Sequence, residues 1–292
     1  IWFNSTSNTF KTVVSSGAWS SSAPLSTGRV ATAGTGIQTA SLLMGGIVSA
    51  PTYSAAVEQY NGTGWATETA IPTATQEAGG AGTVTAGLFA AGFTGPPPPG
   101  ASATYEYDGS SWTVGNSMGA GRSSVTSAGT QTAALVAGGK AAASPNPSNR
   151  TELYDGSSWS DGPTLGTARY QMMGSNVGIQ TAALGIGGYG PPGPAALAIV
   201  EEYDGSSWTA TTVLPTAGGN QARYGTTTAA VAAGGTPGPN DGTKCYNFDG
   251  TTWTATPSLA TARSSVAGSG TTTAGVVGGN PPYNGALTEE YN

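Results

Sequence analysis

Ala134-Leu135-Val136-Ala137-Gly138-Gly139, followed by Glu152-Leu153-Tyr154-Asp155-Gly156-Ser157-Ser158-Trp159, is the passage that decides the fold. A small apolar run ends in a double glycine, and a tyrosine, an Asp-Gly turn and a tryptophan come after it. The order recurs six times. The second glycine stands at Gly46, Gly92, Gly139, Gly188, Gly235 and Gly279, and the tryptophan at Trp19, Trp65, Trp112, Trp159, Trp208 and Trp253. Neighbouring copies lie 44 to 49 residues apart, a period that belongs to propeller blades.

Within a copy the apolar residues do not recur at three and four, and glycine and threonine are too frequent for helix. Each copy divides instead into four short strands. In the fourth, strand a is expected near Tyr170–Val177, strand b over Gln180–Ile186, strand c over Ala198–Tyr203, and strand d from Ser207 with Trp208. The c–d connection is Asp-Gly-Ser-Ser, whose Asp-Gly pair is expected to supply the positive backbone angles of a tight hairpin. Strand b is built of small residues, as at Thr132–Leu135, so that blades converging on an axis have room. The tyrosines and tryptophans lie farther out, where the wedge widens, and are read as core.

Composition narrows the function. The chain has 292 residues, 47 glycines, 19 prolines and only 8 % charged residues. A bias of that kind without periodicity suggests disorder, but the tryptophans return on schedule, so one closed body is expected over residues 17–292. Net charge is −6 with nine basic residues, and with no basic cluster the expectation is no nucleic-acid partner. No apolar run reaches the ~18 residues of a membrane helix, so no membrane insertion is expected. Histidine is absent, which removes the usual metal ligand and proton shuttle, and no cofactor and no enzymatic activity are expected. Gly115-Asn116-Ser117-Met118-Gly119 matches the nucleophile-elbow string, and Gly188-Tyr189-Gly190-Pro191-Pro192-Gly193 the dinucleotide string. Neither precedes a helix, so both are discounted. The strand-c carboxylates Glu58, Glu106, Glu152, Glu201, Glu202, Glu289 and Glu290 repeat once or twice per copy, the mark of structure rather than of one catalytic dyad.

The markers resemble the kelch repeat: Thr167-Ala168-Arg169 opening strand a, Gly187-Gly188 after strand b, then Tyr203 and Trp208. The resemblance spans about residues 17–292 and implies an all-β, six-bladed kelch-type propeller with four antiparallel strands per blade. It has departures. The basic position is Arg29, Arg122, Arg169 and Arg263 in four copies but Thr75 and Gly218 in two, Ala91 replaces a glycine, and Phe248 replaces a tyrosine. The copper oxidase branch of such propellers needs two histidines and is excluded. At the termini, Glu289-Glu290-Tyr291-Asn292 is a strand c with no d after it, and Gly17-Ala18-Trp19-Ser20 a strand d with nothing before it. The two are expected to pair and close the ring, leaving no open sheet edge between first and last blades.

Residues 1–16 read separately, as a hairpin or linker. Trp2-Phe3-Asn4-Ser5-Thr6 looks like segments that recur in bacteriophage tail-fibre and related virion proteins, as do Ala/Gly/Thr-rich arrays carrying Tyr-Asp-Gly-Ser-Ser-Trp. That resemblance implies a virion or extracellular surface location, and other virion or fibre proteins as partners of the N-terminal segment.

With strands alternating in direction, the a–b and c–d turns share one face and the b–c and d–a loops the other. The first set is uniform; the b–c loops are long, Pro/Gly-rich and all different, which marks their face for recognition. Candidate ligand-binding residues are the aromatics Tyr53, Phe93, Tyr189 and Tyr283 of the b–c loops, which either stack on sugars or pack on their own loops. The second group is Arg29, Arg122, Arg169 and Arg263. The kelch resemblance implies that such arginines form a basic mouth; the alternative is that each bonds neighbouring loop carbonyls. Three functions follow as expectations: a non-catalytic adhesion domain binding a host cell-surface glycan or protein, a kelch interaction module gripping an acidic peptide, or a purely structural virion component.

Overall fold

Glycine and β-branched residues keep the chain extended, and the described residues contain no helix. The computed structural model describes residues 2–4, 9–11, 17–95, 100–141, 147–172, 177–191, 195–236, 242–280 and 285–292. Its backbone forms six four-stranded antiparallel sheets, each with the order a-b-c-d. Blade 1 comprises a Ala33–Ile37, b Ala40–Met44, c Val57–Tyr60 and d Trp65–Glu68, and blade 2 Gly79–Thr83, Ala86–Ala90, Thr104–Tyr107 and Trp112–Gly115. Blade 3 comprises Thr126–Thr130, Ala133–Ala137, Thr151–Tyr154 and Trp159–Gly162, and blade 4 Gly178–Ile179, Ala182–Ile186, Val200–Tyr203 and Trp208–Ala210. Blade 5 comprises Ala222–Thr226, Ala229–Ala233, Cys245–Phe248 and Trp253–Thr256, and blade 6 Ala267–Gly270, Gly275–Asn280, Gly285–Tyr291 and Trp19–Ser22. Each strand a touches the strand a of the next blade, and blade 6 returns to blade 1. The result is a six-bladed propeller.

Closure follows the two termini. Trp19 pairs with Tyr291, Ser20 with Glu290, Ser21 with Glu289 and Ser22 with Thr288. Ala18 N donates to Asn292 O at 3.0 Å and Asn292 N to Ala18 O at 3.2 Å, so these two residues meet where the other blades carry a c–d turn. A separate hairpin pairs Trp2–Asn4 with Thr9–Lys11.

The aromatic pair of each blade is the core's largest unit. The Tyr or Phe ending strand c lies 4.8–5.3 Å, centroid to centroid, from the Trp of strand d in all six blades. The strand-c rings of blades 1–5 are buried, and the tryptophans are buried or half-buried. Each indole N–H is aimed at the preceding blade. Where a Thr stands three residues before that blade's closing Tyr of strand c, its hydroxyl accepts: Trp159 to Thr104, Trp208 to Thr151, Trp65 to Thr288 at 2.9–3.1 Å. Where Val stands there, a main-chain oxygen takes over, Thr69 O for Trp112 and Thr212 O for Trp253. Trp19 faces the remaining case, the Cys245 thiol, a weak acceptor, and its buried Nε1 makes no well-formed hydrogen bond there.

Three sequence expectations are corrected. The arginines do not open strand a: Arg29, Arg122 and Arg263 precede it by four residues, as Arg122 does Thr126, because an intervening tight turn is inserted, and in blade 4 strand a is Gly178–Ile179 rather than Tyr170–Val177, of which residues 173–176 lie outside the described residues. Strand b of blade 4 begins at Ala182, and Gln180 lies in the a–b turn, where its Nε2 donates to Ala134 O and Tyr154 O of blade 3 at 3.0 and 2.6 Å. In the c–d turns only the glycine has positive φ, +91° to +93° at Gly62, Gly109, Gly156, Gly205 and Gly250. The aspartate acts by hydrogen bonding instead: Asp155 Oδ1 accepts from Ser157 N and Ser158 N at 2.8 and 2.7 Å, an Asx turn.

The tertiary contacts also show a period of three blades. Blades 1 and 4 share Ile-Gln-Thr in the a–b turn (37–39, 179–181) and Val-Glu opening strand c (57–58, 200–201). In both, a Thr after strand d bonds a carbonyl of the next blade's c–d turn, Thr69 Oγ1 to Ser110 O and Thr212 Oγ1 to Thr251 O, at 2.6 and 2.7 Å. Blades 2 and 5 share Tyr105 and Tyr246 at the second position of strand c, and blades 3 and 6 share Thr-Glu at 151–152 and 288–289.

Candidate functional site

The divergent face is founded on two rings of main-chain hydrogen bonds. The second glycine of each Gly-Gly pair has φ near +100° (Gly46 +107°, Gly92 +106°, Gly139 +100°, Gly188 +102°). In that conformation its N–H reaches the next blade: Gly46 to Thr75 O, Gly92 to Arg122 O, Gly139 to Arg169 O, Gly188 to Gly218 O and Gly235 to Arg263 O, at 2.7–2.9 Å. A side chain is excluded there, since a Cβ on Gly46 meets Val30 O at 2.6 Å and Thr32 Cγ2 at 2.7 Å. The first glycine is left-handed too, φ +54° to +69° at Gly45, Gly138, Gly187 and Gly234, and Ala91 takes that conformation at φ +66° in blade 2, whereas on Gly45 a Cβ meets Thr75 O at 2.3 Å. Two residues after each arginine position the chain turns left-handed again, at Ala31, Glu77, Ser124, Gln171, Asn220 and Ser265. These form the inner ring. Glu77 N donates to Ala31 O, Ser124 to Glu77, Asn220 to Gln171, Ser265 to Asn220 and Ala31 to Ser265, at 2.5–3.0 Å.

Between the rings sits the arginine position. Arg29 Nη1 donates to Glu58 Oε1 at 2.6 Å, Arg122 Nη2 to Glu152 Oε1 at 2.9 Å, Arg169 Nη1 to Glu201 Oε1 at 2.7 Å and Arg263 Nη2 to Glu289 Oε1 at 2.7 Å. These guanidiniums have side-chain exposures of 0–1 %. Burial lowers the affinity of Arg29, Arg122 and Arg169 for their protons, and the facing glutamate opposes that shift. The arginines also bond carbonyls of their own blade, as Arg169 Nη2 does Gly185 O at 2.9 Å and Arg122 Nη1 does Arg150 O at 2.7 Å. The sequence reading left two roles open for them, a basic mouth or bonds to neighbouring carbonyls; all four are buried inside the blades and make bonds of the second kind.

The glutamate completes a three-part device. Its second oxygen accepts a main-chain N–H from the d–a loop: Ser26 for Glu58, Gly119 for Glu152, Gly166 for Glu201 and Ala260 for Glu289, at 2.6–2.8 Å. Blades 2 and 5 replace all three parts together. Thr75 and Gly218 stand for arginine, Tyr105 and Tyr246 for glutamate, and Pro72 and Pro215 for the N–H donor. Proline has no N–H to leave unsatisfied. The tyrosine hydroxyls donate instead to Thr73 Oγ1 at 3.0 Å and Thr216 Oγ1 at 2.9 Å. Glu106, one residue after Tyr105, projects from the opposite face of its strand, where it accepts from the Tyr154 hydroxyl of blade 3. Blade 5 holds a fifth buried arginine that the sequence reading missed. Arg223, in strand a, donates to Gln221 Oε1 at 3.3 Å, and burial together with the charge of Arg169 brings its pKa down to about 9.

On the surface above, the b–c loops start with a short pairing onto the residue after the arginine position. Val30 bridges Ile47, Gln76 bridges Phe93, Ser123 pairs with Lys140, and Tyr170 bridges Tyr189. Three of the four predicted aromatics are therefore held by neighbours. Tyr53 and Phe93 meet edge to face across the seam of blades 1 and 2, 5.5 Å between centroids. Tyr189 lies 6.0 Å from the Tyr170 ring, and its hydroxyl bonds Thr236 of blade 5. All three remain half-buried. Tyr283 lies outside the described residues. Lys140 and Tyr170 were not singled out from sequence; Lys140 Nζ sits 4.8 Å above the Tyr170 ring. Two inter-blade crevices, one beside Trp65 and Gly278 and one beside Trp19 and Tyr224, have no room for a water molecule, so neither is a small-molecule site. No protein-family model matches this chain, and no curated protein is similar to it.

Proposed function

We propose that this propeller is a kelch-type, non-catalytic recognition domain of a virion appendage, binding a host cell-surface glycan or protein through its b–c and d–a loops. The observation that carries the reading is the contrast between the two faces. Turns of the a–b and c–d face repeat one design, whereas the b–c loops begin with Ile47, Phe93, Lys140, Tyr189, Thr236 and Asn280 and share none. The frame beneath keeps a three-blade period that the loops ignore. A scaffold locked by main-chain rings with unconstrained loops on one side suits display. The Trp-Phe-Asn-Ser-Thr segment at 2–6 supports attachment to other fibre proteins. An acidic peptide at an arginine mouth has less support, because the four arginines are buried and already paired with glutamates.

The test is binding of residues 17–292 to a glycan array and a bacterial cell panel, with the b–c loops replaced one at a time by short Gly/Ser turns. The reading predicts saturable binding that at least one replacement abolishes while the melting temperature holds. Binding indifferent to every replacement refutes it. Absence of binding on all surfaces supports the purely structural role instead.

A further inference from the structure

Across blades 3, 4 and 5 the divergent face carries a continuous band: Lys140, then the Tyr170 ring, then the Tyr189 ring, then Thr236. We infer that Lys140, Tyr170 and Tyr189 form a subsite for a saccharide bearing a carboxylate. This rests on the recognition reading above and names the ligand class of that face.

Three observations carry it. The first is charge. Four of the chain's arginines are buried against glutamates, and Arg150 is paired with Asp161 at 2.6 Å. Lys140 enters no ion pair among the described residues, although net charge is −6 and carboxylates outnumber basic groups. Its ammonium is held over a ring, a contact that leaves its N–H donors free for an anion.

The second is the adjoining surface. Tyr170 and Tyr189 are half-buried, with ring planes 34° apart, on neighbouring segments of one blade. A pyranose has one face of C–H groups that covers such a ring and an equatorial edge of hydroxyls that needs donors and acceptors. At the far end of the band the Tyr189 and Thr236 hydroxyls bond each other and Gly219 O, which leaves their remaining lone pairs to accept from sugar hydroxyls, and the ammonium meets a carboxylate at the near end.

The third is preorganisation. Tyr170 N donates to Tyr189 O at 2.9 Å and Tyr189 N to Tyr170 O at 2.8 Å, and Ser123 pairs with Lys140. Gly219 of blade 5 has no side chain, and the Tyr189 ring occupies the space a Cβ would fill. Rings fixed before binding lose little entropy on contact.

The experiment uses the full chain on matched glycans, each oligosaccharide printed with its terminal carboxylated sugar and with that carboxylate reduced to the alcohol. Wild type should bind the carboxylated member at least tenfold more tightly, with affinity falling as salt rises. Lys140→Met should lose that preference without losing binding to the reduced member, and Tyr170→Ala should weaken both. Equal binding of the two members by wild type, or an unchanged preference in Lys140→Met, overturns the inference while leaving the recognition reading in place. Loss of all glycan and cell binding by wild type removes both together. Melting temperature separates the alternatives, because a purely structural Lys140–Tyr170 contact shifts stability in Lys140→Met and leaves the carboxylate preference intact.

Discussion

Removing the charge of Glu201 is expected to destabilise the propeller far more than removing both members of its pair. In Glu201→Gln the Arg169 guanidinium, with 0 % side-chain exposure, keeps Gly185 O but loses the anion 2.7 Å away. A cation left buried without its partner costs about 3–5 kcal/mol. Arg169→Met should cost less, roughly 2 kcal/mol, because Glu201 keeps the amides of Gly166 and Thr167 at 2.8 and 3.1 Å, charge-assisted bonds that still solvate the carboxylate. The double variant Arg169→Thr/Glu201→Tyr copies blade 2, and Thr167 stands where Thr73 accepts the Tyr105 hydroxyl. Gly166 is exposed, so water satisfies its freed N–H. That double variant should lie within about 1 kcal/mol of wild type, and adding Gly166→Pro completes the copy. Urea unfolding at constant slope reads the difference directly. With the single variants Arg169→Thr and Glu201→Tyr costing as much as Arg169→Met and Glu201→Gln, the cycle shows a pairwise coupling of about 4 kcal/mol or more. A Glu201→Gln variant within about 1 kcal/mol of wild type, or a double variant at the sum of the singles, refutes the claim that the two devices are interchangeable solutions to one buried site.

Other outcomes follow from single positions. Cys245→Thr gives the Trp19 indole the acceptor that Thr104, Thr151 and Thr288 give its counterparts, and should raise stability by about 0.5–1.5 kcal/mol in a thermal melt; a loss of stability refutes it. Gly139→Ala, at φ +100° with Ser123 O 2.5 Å from the added carbon, should cost about 2–3 kcal/mol, whereas Ala91→Gly should change urea stability by no more than about 1 kcal/mol. Main-chain and hydroxyl donors of the c–d turns hold Asp155 and Asp204 down to about 2, and push Asp108 and Asp249 lower still. A carboxylate depressed in the folded state contributes stability above its unfolded value, near 4, and loses it as pH falls toward 2. Denaturation midpoints should therefore be flat above about pH 5 and fall below pH 4, and replacing all four aspartates by Asn, the residue blade 1 uses at Asn61, should flatten that fall.

How much was legible differs from feature to feature. The tryptophan and glycine period, the Asp-Gly turns and the orphan strands at each end are local signals, and each sufficed to place a blade, a hairpin or the closing pair. The role of Arg169 was not legible. A charged residue opening a strand looks the same in sequence whether it faces solvent or a glutamate 32 residues away. The clue was present in the joint change of Thr75, Tyr105 and Pro72, and again of Gly218, Tyr246 and Pro215. Seeing it required knowing that the second position of strand c, and not the third, turns toward the arginine. One residue of register reverses the face of a strand, so Glu106 and Glu152 read alike and sit on opposite sides.

The chain's own order of residues determined the number of blades, their four-strand make-up and the joining of its ends, because those depend on short-range turn chemistry and a repeated apolar pattern. Only the tertiary structure decided which polar groups are consumed in holding blades together and which reach the surface. It placed Arg29, Arg122, Arg169 and Arg263 inside the blades and brought Lys140, Tyr170 and Tyr189 side by side. Burial and partnership are set by neighbours from other blades, and a linear sequence carries no distance between them.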